Sequence, residues 1–393
     1  MPLRLNLLLL ILATYISNTA IGGVTDKITI IKNGILIDGT GALPRSQVTI
    51  IIKGDRILRV DDDANIPQNS EIINANGRYI MPGFINAHVH NGFSPSYLEQ
   101  WAADGVTTVR DLGAVYHRDL AQDKQHLNSS NLRARLITAG PLLTVPGGYP
   151  IAVFNAPIGY PIAHDEKNIL KTVPSILANG ADLIKISLER GKIFNKQIPV
   201  FSKKEAQTIV TIARNRHTRV SAHVTARQDI DLALDAGVGD LAHMVADGYL
   251  NRETIQKVIQ AGMYWVPTLE LWHGIGGESL VYAIENLRRF YQAGGLIALG
   301  TDYDGYTTPF ELGMPMREMK LMRQANMSNL DIIQSATKYA AVVCNMANDL
   351  GTIEPQKIAD IIMTEGNPLT DLDQLQSVPF VMHNGEVIVN HIP

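Results

Sequence analysis

The stretch PGFINAHVH, residues Pro82–His90, begins the part of the sequence that decides the fold. It is an apolar run that ends in two histidines, and seven further strand-like runs follow it. Most of them are separated by helix-compatible stretches such as 203–214, 252–261 and 279–291. Eight strands alternating with helices over residues 82–349 predict an α/β fold, a (β/α)8 TIM barrel, with a doubly wound open sheet as the alternative. The eight runs are 84–88, 106–110, 135–138, 182–186, 219–223, 240–243, 264–267 and 296–301.

Both ends of the chain carry a different, strand-rich pattern. Residues 21–81 contain β-branched runs separated by turn sequences such as Lys32-Asn33-Gly34, and residues 350–393 contain further runs of the same kind. We therefore expect a small β-sandwich domain formed by these two segments, beside the barrel domain of residues 82–349.

Residues 1–20 have the pattern of a secretory signal peptide. Arg4 is followed by the leucine-rich stretch Leu5–Ile16 and then by the small and polar residues Ser17–Ala20. The apolar stretch is shorter than the ~20 residues that cross a bilayer. This pattern predicts a secreted or periplasmic protein without stable membrane insertion.

The composition narrows the class of protein and of site. The 393 residues include 34 Lys+Arg and 38 Asp+Glu, a net charge of −4, and 46% are hydrophobic. This balance favours a large core and argues against a disordered chain or a nucleic-acid partner. The single cysteine, Cys344, excludes an internal disulfide and a cysteine metal cluster, so a metal site must use histidines and carboxylates. The sequence leaves open whether the chain forms an oligomer.

Polar residues end five of the eight runs. In a barrel, the carboxyl ends of the strands meet at one mouth, where active sites lie. Each of these side chains alone could be structural, but their common position predicts a single site. They are His88 and His90 after the first run, Lys185 in the fourth, His223 in the fifth, His243 in the sixth and Asp302 after the eighth.

With these residues the chain resembles the amidohydrolase superfamily, and the resemblance covers nearly all of it after the signal. Three further motifs resemble the imidazolonepropionase-like and prolidase-like branch, whose members hydrolyse cyclic amides or dipeptides. They are GVTTVRDLG (105–113), GTIEPQKIAD (351–360) and GNPL (366–369).

The resemblance implies a metal site made by His88, His90, Lys185, His223, His243 and Asp302. It implies two divalent ions, with Zn²⁺ expected from the imidazole ligands, and a CO₂-derived carbamate on Lys185 that bridges them. Two ions ~3.5–4 Å apart lower the pKa of a bridging water and polarise a carbonyl. Asp302 is implied as the catalytic residue that also carries a proton to the leaving amine.

The function predicted in this way is cleavage of C–N bonds in small molecules by a metal-activated hydroxide. A prolidase-like dipeptidase is the leading hypothesis, and an imidazolonepropionase-like hydrolase of cyclic amides is the alternative. A non-catalytic binding protein on the same barrel is more remote, because it predicts a broken ligand set and all six positions are filled.

Departures from the family pattern concern the substrate rather than the metal. Asn86 stands where an aspartate is usual, Thr225 where many relatives have a second histidine, and Tyr149 where a histidine commonly follows two glycines. Arg190 and Arg227 lie just beyond Lys185 and His223, so either is a candidate partner for a substrate carboxylate, although a solvated loop arginine is the more ordinary role.

Overall fold

The structure is a computed structural model that describes residues 27–61, 67–113, 119–154, 163, 165–305 and 309–393. The predicted signal peptide, residues 1–20, lies outside the described residues. Within the described ranges, none of the helices has the length and apolar character needed to cross a membrane.

The fold is α/β, as the alternation of runs predicts, and each of the eight predicted runs contains a strand. Three of them form one parallel sheet and five form another. The described strands are β1 (Ile28–Leu36), β2 (Arg45–Lys53), β3 (Arg56–Asp61), β4 (Glu71–Asn74), β5 (Tyr79–Pro82), β6 (Phe84–Val89), β7 (Val106–Asp111), β8 (Arg135–Thr138), β9 (Ile184–Ser187), β10 (Val220–His223), β11 (Asp240–Ala242), β12 (Tyr264–Val266), β13 (Leu296–Ile297), β14 (Ile361–Thr364), β15 (Phe380–His383) and β16 (Glu386–Asn390).

Helices separate most of the parallel strands and bury one face each against them. The helix of residues 203–214 begins with a capping box between Ser202 and Glu205, and it buries Ala206, Ile209 and Ala213 at helical spacing. The described helices are α1 (Pro95–Ala103), α2 (Leu120–Asn128), α3 (Ile151–Phe154), α4 (Glu166–Ala178), α5 (Lys203–Arg214), α6 (Arg227–Ala236), α7 (Arg252–Gln260), α8 (Leu269–Ile275), α9 (Gly277–Gln292), α10 (Met316–Gln324), α11 (Asn329–Ala336) and α12 (Lys338–Val343), with short 3-10 helices at Lys192–Phe194 and Leu372–Gln376.

The parallel sheets have the orders β6-β7-β8 and β13-β12-β11-β10-β9. Main-chain hydrogen bonds also connect their outer edges. On one side Ala87 N donates to Leu299 O at 2.9 Å, and on the other Asp182 N donates to Thr138 O at 2.8 Å. Because the strands are parallel and joined at both edges, their carboxyl ends lie on one side, where the predicted ligands are found.

Strands from both ends of the chain join in a third sheet of eight strands. Its order is β16-β15-β14-β5-β1-β2-β3, with β4 paired to β1. Residues from strands far apart in this order, such as Ile50 of β2 and Phe380 of β15, share one buried cluster. The sheet therefore has an apolar core of its own, to which strands from both ends of the chain contribute.

Candidate metal centre

His88 and His90 lie at the carboxyl end of β6 and point to one face, because side chains two apart on a strand do so. Asp302, beyond β13, approaches both rings. Its Oδ1 lies 2.9 Å from His88 Nε2 and 3.2 Å from His90 Nε2. One potential ligand atom from each of the three residues lies within 4.8 Å of the others. The structure thus brings three of the predicted ligands together.

The other two histidines stand beside them. His223 ends β10, and His243 directly follows β11. His223 Nδ1 lies 3.0 Å from His243 Nε2. The His243 ring also lies 4.8 Å from the His88 ring, measured between centroids. The four predicted histidines and Asp302 therefore form one continuous group.

Lys185 of β9 is buried, and its Nζ has no hydrogen-bond partner among the described residues. Burial lowers its pKa to about 7, against the opposing attraction of Asp302 and Asp240. Burial and then the charge of Lys185 lower the pKa of His88 to about 3. We call these six side chains the ligand cluster: His88, His90, Lys185, His223, His243 and Asp302.

The outer ring nitrogens of two histidines already have partners. His90 Nδ1 lies 3.3 Å from the Gly113 carbonyl oxygen, and His243 Nδ1 lies 2.9 Å from the Thr268 hydroxyl. The remaining nitrogen of each ring, Nε2, therefore points into the cluster. Partners on the outer nitrogen orient an imidazole and select the tautomer that can bind a metal.

Several inward atoms lack hydrogen bonds among the described residues. They include both ring nitrogens of His88, Lys185 Nζ and Asp302 Oδ1, so the close contacts of Asp302 lack hydrogen-bond geometry. Buried polar atoms without partners are costly. A divalent cation that accepts imidazole and carboxylate ligands, such as Zn²⁺, would satisfy one ring nitrogen of His88 and the carboxylate oxygen of Asp302. The donor set fits the metal chemistry that the sequence predicts.

Charges within the cluster favour an ionised Asp302. Burial raises the pKa of Asp302, but the neighbouring His88 and His243 outweigh burial and hold this pKa well below its usual range. Burial likewise lowers the pKa of His90, but the carboxylates of Asp302 and Asp111 outweigh it, so the His90 pKa is raised. An ionised carboxylate in this position is suited to bind a cation.

The backbone holds two of these residues in an uncommon conformation. His243 has φ 75° and Asp302 has φ 69°, in the left-handed region that few non-glycine residues adopt. Between β13 and Asp302, a Cβ on Gly300 would lie 2.5 Å from Val266 Cγ1 and 2.7 Å from His88 Cβ. A glycine is therefore required for the close approach of this segment to β6.

The departures from the family pattern have defined contacts. The Asn86 amide donates to the Thr301 hydroxyl at 2.9 Å and so links β6 to the segment before Asp302. The Tyr149 ring stacks on His223 with 4.1 Å between centroids. Asn86 thus supports the frame of the site, whereas Tyr149 covers one of the predicted ligands.

Both candidate arginines have acidic partners. Arg190 Nη1 lies 2.8 Å from Asp229 Oδ1, and Arg227 Nε lies 3.4 Å from Asp247 Oδ1. Neither contact excludes a substrate carboxylate, but each gives its arginine a structural role.

Two polar residues next to the ligand cluster escaped the sequence reasoning. Thr268, at the start of α8, contacts His243, and Glu189, in the loop after β9, has Oε2 3.7 Å from His223 Nε2. Each lies two residues beyond the end of a strand, Thr268 after β12 and Glu189 after β9. A search for polar residues just beyond the strand ends would have included both.

Comparison with known proteins gives relatives of similar length. Ochratoxinase from Aspergillus niger is 27% identical over 419 aligned residues, which cover 91% of this chain and 85% of the relative. Imidazolonepropionase from Streptomyces griseus is 23% identical and covers 84% of this chain and 89% of the relative. The crystal structure of a Xaa-Pro dipeptidase with bound methionine superposes with a TM-score of 0.79 at 23% identity, over 93% of this chain and 100% of that one. At that identity the superposition establishes a shared fold.

The family model named "Amidohydrolase family" matches residues 79–388, which include all six members of the ligand cluster. The match confirms the resemblance drawn from the sequence. The chain belongs to the amidohydrolase family and is a metal-dependent hydrolase of carbon–nitrogen bonds.

Proposed function

We propose that this hydrolase is a prolidase-like dipeptidase that uses two divalent ions, with Zn²⁺ expected. The observation that carries the proposal is the ligand cluster, in which His88, His90 and Asp302 offer ligand atoms within 4.8 Å of one another and the His223–His243 pair lies alongside. Solved structures that share the fold include a Xaa-Pro dipeptidase and a prolidase complexed with N-methylphosphonate-L-proline.

The two ions would be held by the four histidines, Asp302 and a carbamate on Lys185. When bound, such ions activate a water and polarise the scissile carbonyl. The lysine is suited to carbamate formation, because burial lowers its pKa to about 7 and a neutral amine can attack CO₂. The carbamate replaces a buried cation by an anionic oxygen donor.

Asp302 is the proposed proton carrier. Its carboxylate would accept a proton from the attacking water and deliver it to the nitrogen of the leaving amine. The pKa of Asp302, held well below its usual range by His88 and His243 in spite of burial, keeps the carboxylate ionised for the first of these steps.

We propose that a cavity with cationic walls receives the free carboxylate of the substrate. It has a volume of about 680 Å³, and its walls include Arg190, Lys192 and Lys196. No member of the ligand cluster lines this cavity. Its link to the cluster runs along the chain, because Arg190 directly follows Glu189, whose carboxylate approaches His223.

The dipeptide assignment is tested by comparing a dipeptide with its C-terminal amide. We expect the free acid to have roughly 10-fold or higher kcat/KM, equivalent to about 1.4 kcal/mol, and the preference to shrink when Lys192 and Lys196 are changed to alanine. Lys257→Ala, at an exposed pair with Glu253, is the control. Equal rates on acid and amide would instead favour the cyclic amide hydrolase, which the imidazolonepropionase relatives keep as the second candidate.

Lys185→Ala tests the metal site. We expect loss of bound zinc and of activity, with partial rescue by short carboxylic acids that supply the missing oxygen donor. Lys124→Ala is a matched control, since Lys124 is a largely buried lysine that pairs with Asp182 outside the cluster. Full activity in Lys185→Ala would refute the bridging role.

We also infer that the two parallel sheets act as one (β/α)8 barrel of residues 82–349, with a β-sandwich made from 21–81 and 350–393. The hydrogen bonds that connect both outer edges of the parallel sheets support this arrangement.

We also propose, from the sequence, that the protein is exported. N-terminal sequencing of the secreted form should give a start near Ile21 to Val24, and intact Met1 in a soluble cytosolic fraction would end that proposal.

A further inference from the structure

Glu189 is a buried carboxylate that the proposed mechanism does not use. It has no exposed surface and lies two residues beyond the end of β9. The Thr225 hydroxyl donates to its Oε2, and the Gly191 N–H donates to its Oε1 at 2.5 Å. These two donors fix the carboxylate in one orientation.

In that orientation Oε2 lies 3.7 Å from His223 Nε2. Among the described residues His223 Nε2 is buried without a hydrogen-bond partner, and its imidazole is the only basic side chain within 4.0 Å of the Glu189 carboxylate. The opposite nitrogen of the same ring, Nδ1, faces His243 Nε2 inside the cluster. The ring therefore lies between an acceptor on one side and the ligand cluster on the other.

This arrangement parallels the other histidines with outer partners. His90 has Gly113 and His243 has Thr268 at the outer nitrogen, and each presents Nε2 inward. His223 differs because its outer nitrogen is Nε2 and its inward nitrogen is Nδ1. It therefore needs the opposite tautomer, with its proton on Nε2, and like the others it needs an acceptor at its outer nitrogen.

We propose that Glu189 is a positioning residue whose carboxylate, facing His223 Nε2, favours a proton on that nitrogen and thereby leaves His223 Nδ1 to bind a metal. This inference rests on the proposed function, because it takes His223 as a ligand. Thr225, which stands where many relatives have a second histidine, holds the carboxylate in place. A carboxylate oxygen attracts an N–H more strongly than an amide oxygen does, so Glu189 favours this tautomer more than a glutamine would.

A neighbouring acid provides the matched control. Asp229 is also buried, but it pairs with Arg190 and faces no histidine in the described part of the chain. Glu189→Gln and Asp229→Asn each exchange one buried carboxylate for its amide. Only the first removes the anionic acceptor at His223.

The experiment measures zinc affinity by chelator competition on the full chain of both variants. Glu189→Gln should weaken the binding of one of two ions by ~10–100-fold, the usual cost of losing an outer partner, and Asp229→Asn should leave both affinities unchanged. In the metal-free wild type, ¹⁵N NMR of the imidazoles should find His223 as the Nε2–H tautomer, and this preference should weaken in Glu189→Gln.

Equal zinc affinity in wild type and Glu189→Gln, or equal losses in both variants, would overturn the proposal. So would an Nδ1–H tautomer of His223 in the metal-free wild type. If Glu189→Gln fails to fold, Thr225→Val removes one hydrogen bond that fixes the carboxylate and should weaken zinc binding in the same direction, by less. Failure of the wild type to bind zinc or hydrolyse dipeptides would reject the proposed function, whereas the tautomer of His223 still tests the contact with Glu189.

Discussion

Two sets of buried polar side chains lie between the parallel sheets, and they differ in whether their hydrogen bonds are complete. Arg110 of β7 and Asp240 of β11 form an ion pair with no exposed surface, with Nη2 2.9 Å from Oδ1. Arg110 also donates to the carbonyls of Ala87 and Val343, at 2.6 and 2.9 Å. In the ligand cluster, by contrast, several buried atoms have no hydrogen-bond partner among the described residues.

The difference separates a structural from a functional use of buried charge. Burial raises the pKa of Asp240, but Arg110 outweighs it and the pKa is lowered, so the pair is complete within the protein. The charges of Asp240 and Arg110 also act on Lys185, in opposite directions, but burial dominates and lowers the pKa of Lys185 to about 7. The protein thus supplies partners for one group and leaves the other to be completed by a ligand. Each of the following predictions tests that contrast.

The largest effect on stability is expected from Arg110→Met. Breaking a buried ion pair leaves an uncompensated charge and typically costs about 3–5 kcal/mol, and here Asp240 would be the orphan. Urea unfolding of the metal-free protein measures the loss. Bound zinc per folded molecule should change much less than stability, because Arg110 contacts no member of the ligand cluster and acts on Lys185 only through its charge.

The double variant Arg110→Met, Asp240→Leu is the control for this prediction. It removes both charges, so much of the lost stability should return. If the double variant is no more stable than the single one, then the contacts of Arg110 with main-chain carbonyls, not the ion pair, dominate its contribution.

Asp302→Asn should affect catalysis in place of folding. The amide keeps the shape and one oxygen for a metal, but it cannot carry a proton, a role worth ~10²–10⁴-fold in rate. We expect kcat to fall at least ~10²-fold by the same reasoning, with the melting temperature and zinc content much less affected. All three are measured on one preparation. A lower melting temperature with normal turnover per folded molecule would assign Asp302 to the structural class.

The sequence predicted the positions of these side chains better than their environments. His88, His223 and His243 could be placed because each lies at the end of an apolar run, and the carboxyl ends of parallel strands meet. The strands were also predictable, because hydrophobic periodicity and β-branched composition are local properties of the sequence.

The partners of those side chains were not predictable, because they depend on which loops meet in space. Thr268 reaches His243 from 25 positions along the chain, and Glu189 reaches Thr225 from 36 positions away. The Arg110–Asp240 pair joins residues 130 positions apart. Such contacts leave no periodic pattern in the sequence. The sequence therefore could not show which buried polar groups have hydrogen-bond partners and which do not.

Gly300→Ala should distort the cluster without changing any of its side chains. The added methyl would overlap His88 and Val266, and overpacking of this kind costs about 1–3 kcal/mol. Gly295→Ala is the control, since its methyl would meet the Phe290 ring at the other end of the same segment. Both variants should lose stability, but only Gly300→Ala should also lose zinc affinity. Equal zinc affinities would show that β6 absorbs the overlap without moving His88.

The smallest effect compares two aspartates that each pair with an arginine. Burial and the nearby Glu189 raise the pKa of Asp229 to about 7, in spite of its contact with Arg190. Because the folded protein then binds this proton more tightly than the unfolded chain does, the contribution of Asp229 to stability falls as the pH rises from about 4 to about 7. The contribution of Asp240 to stability depends on pH in the opposite direction, because Arg110 outweighs burial and lowers the pKa of Asp240.

Asp229→Asn removes this titration and should therefore gain stability relative to the wild type as the pH rises through that window. One pKa unit corresponds to about 1.4 kcal/mol, so a gain of at least about 1.4 kcal/mol between pH 4 and pH 8 is expected from urea unfolding of the metal-free proteins. Asp240→Asn should instead be less stable than the wild type at pH 8. Glu189 is present in all three proteins, so the differences isolate the two aspartates. If the stability difference between Asp229→Asn and the wild type does not change with pH, then Arg190 stabilises the Asp229 carboxylate as fully as Arg110 stabilises that of Asp240. In that case the contrast between paired and unpaired buried charge would be confined to the ligand cluster.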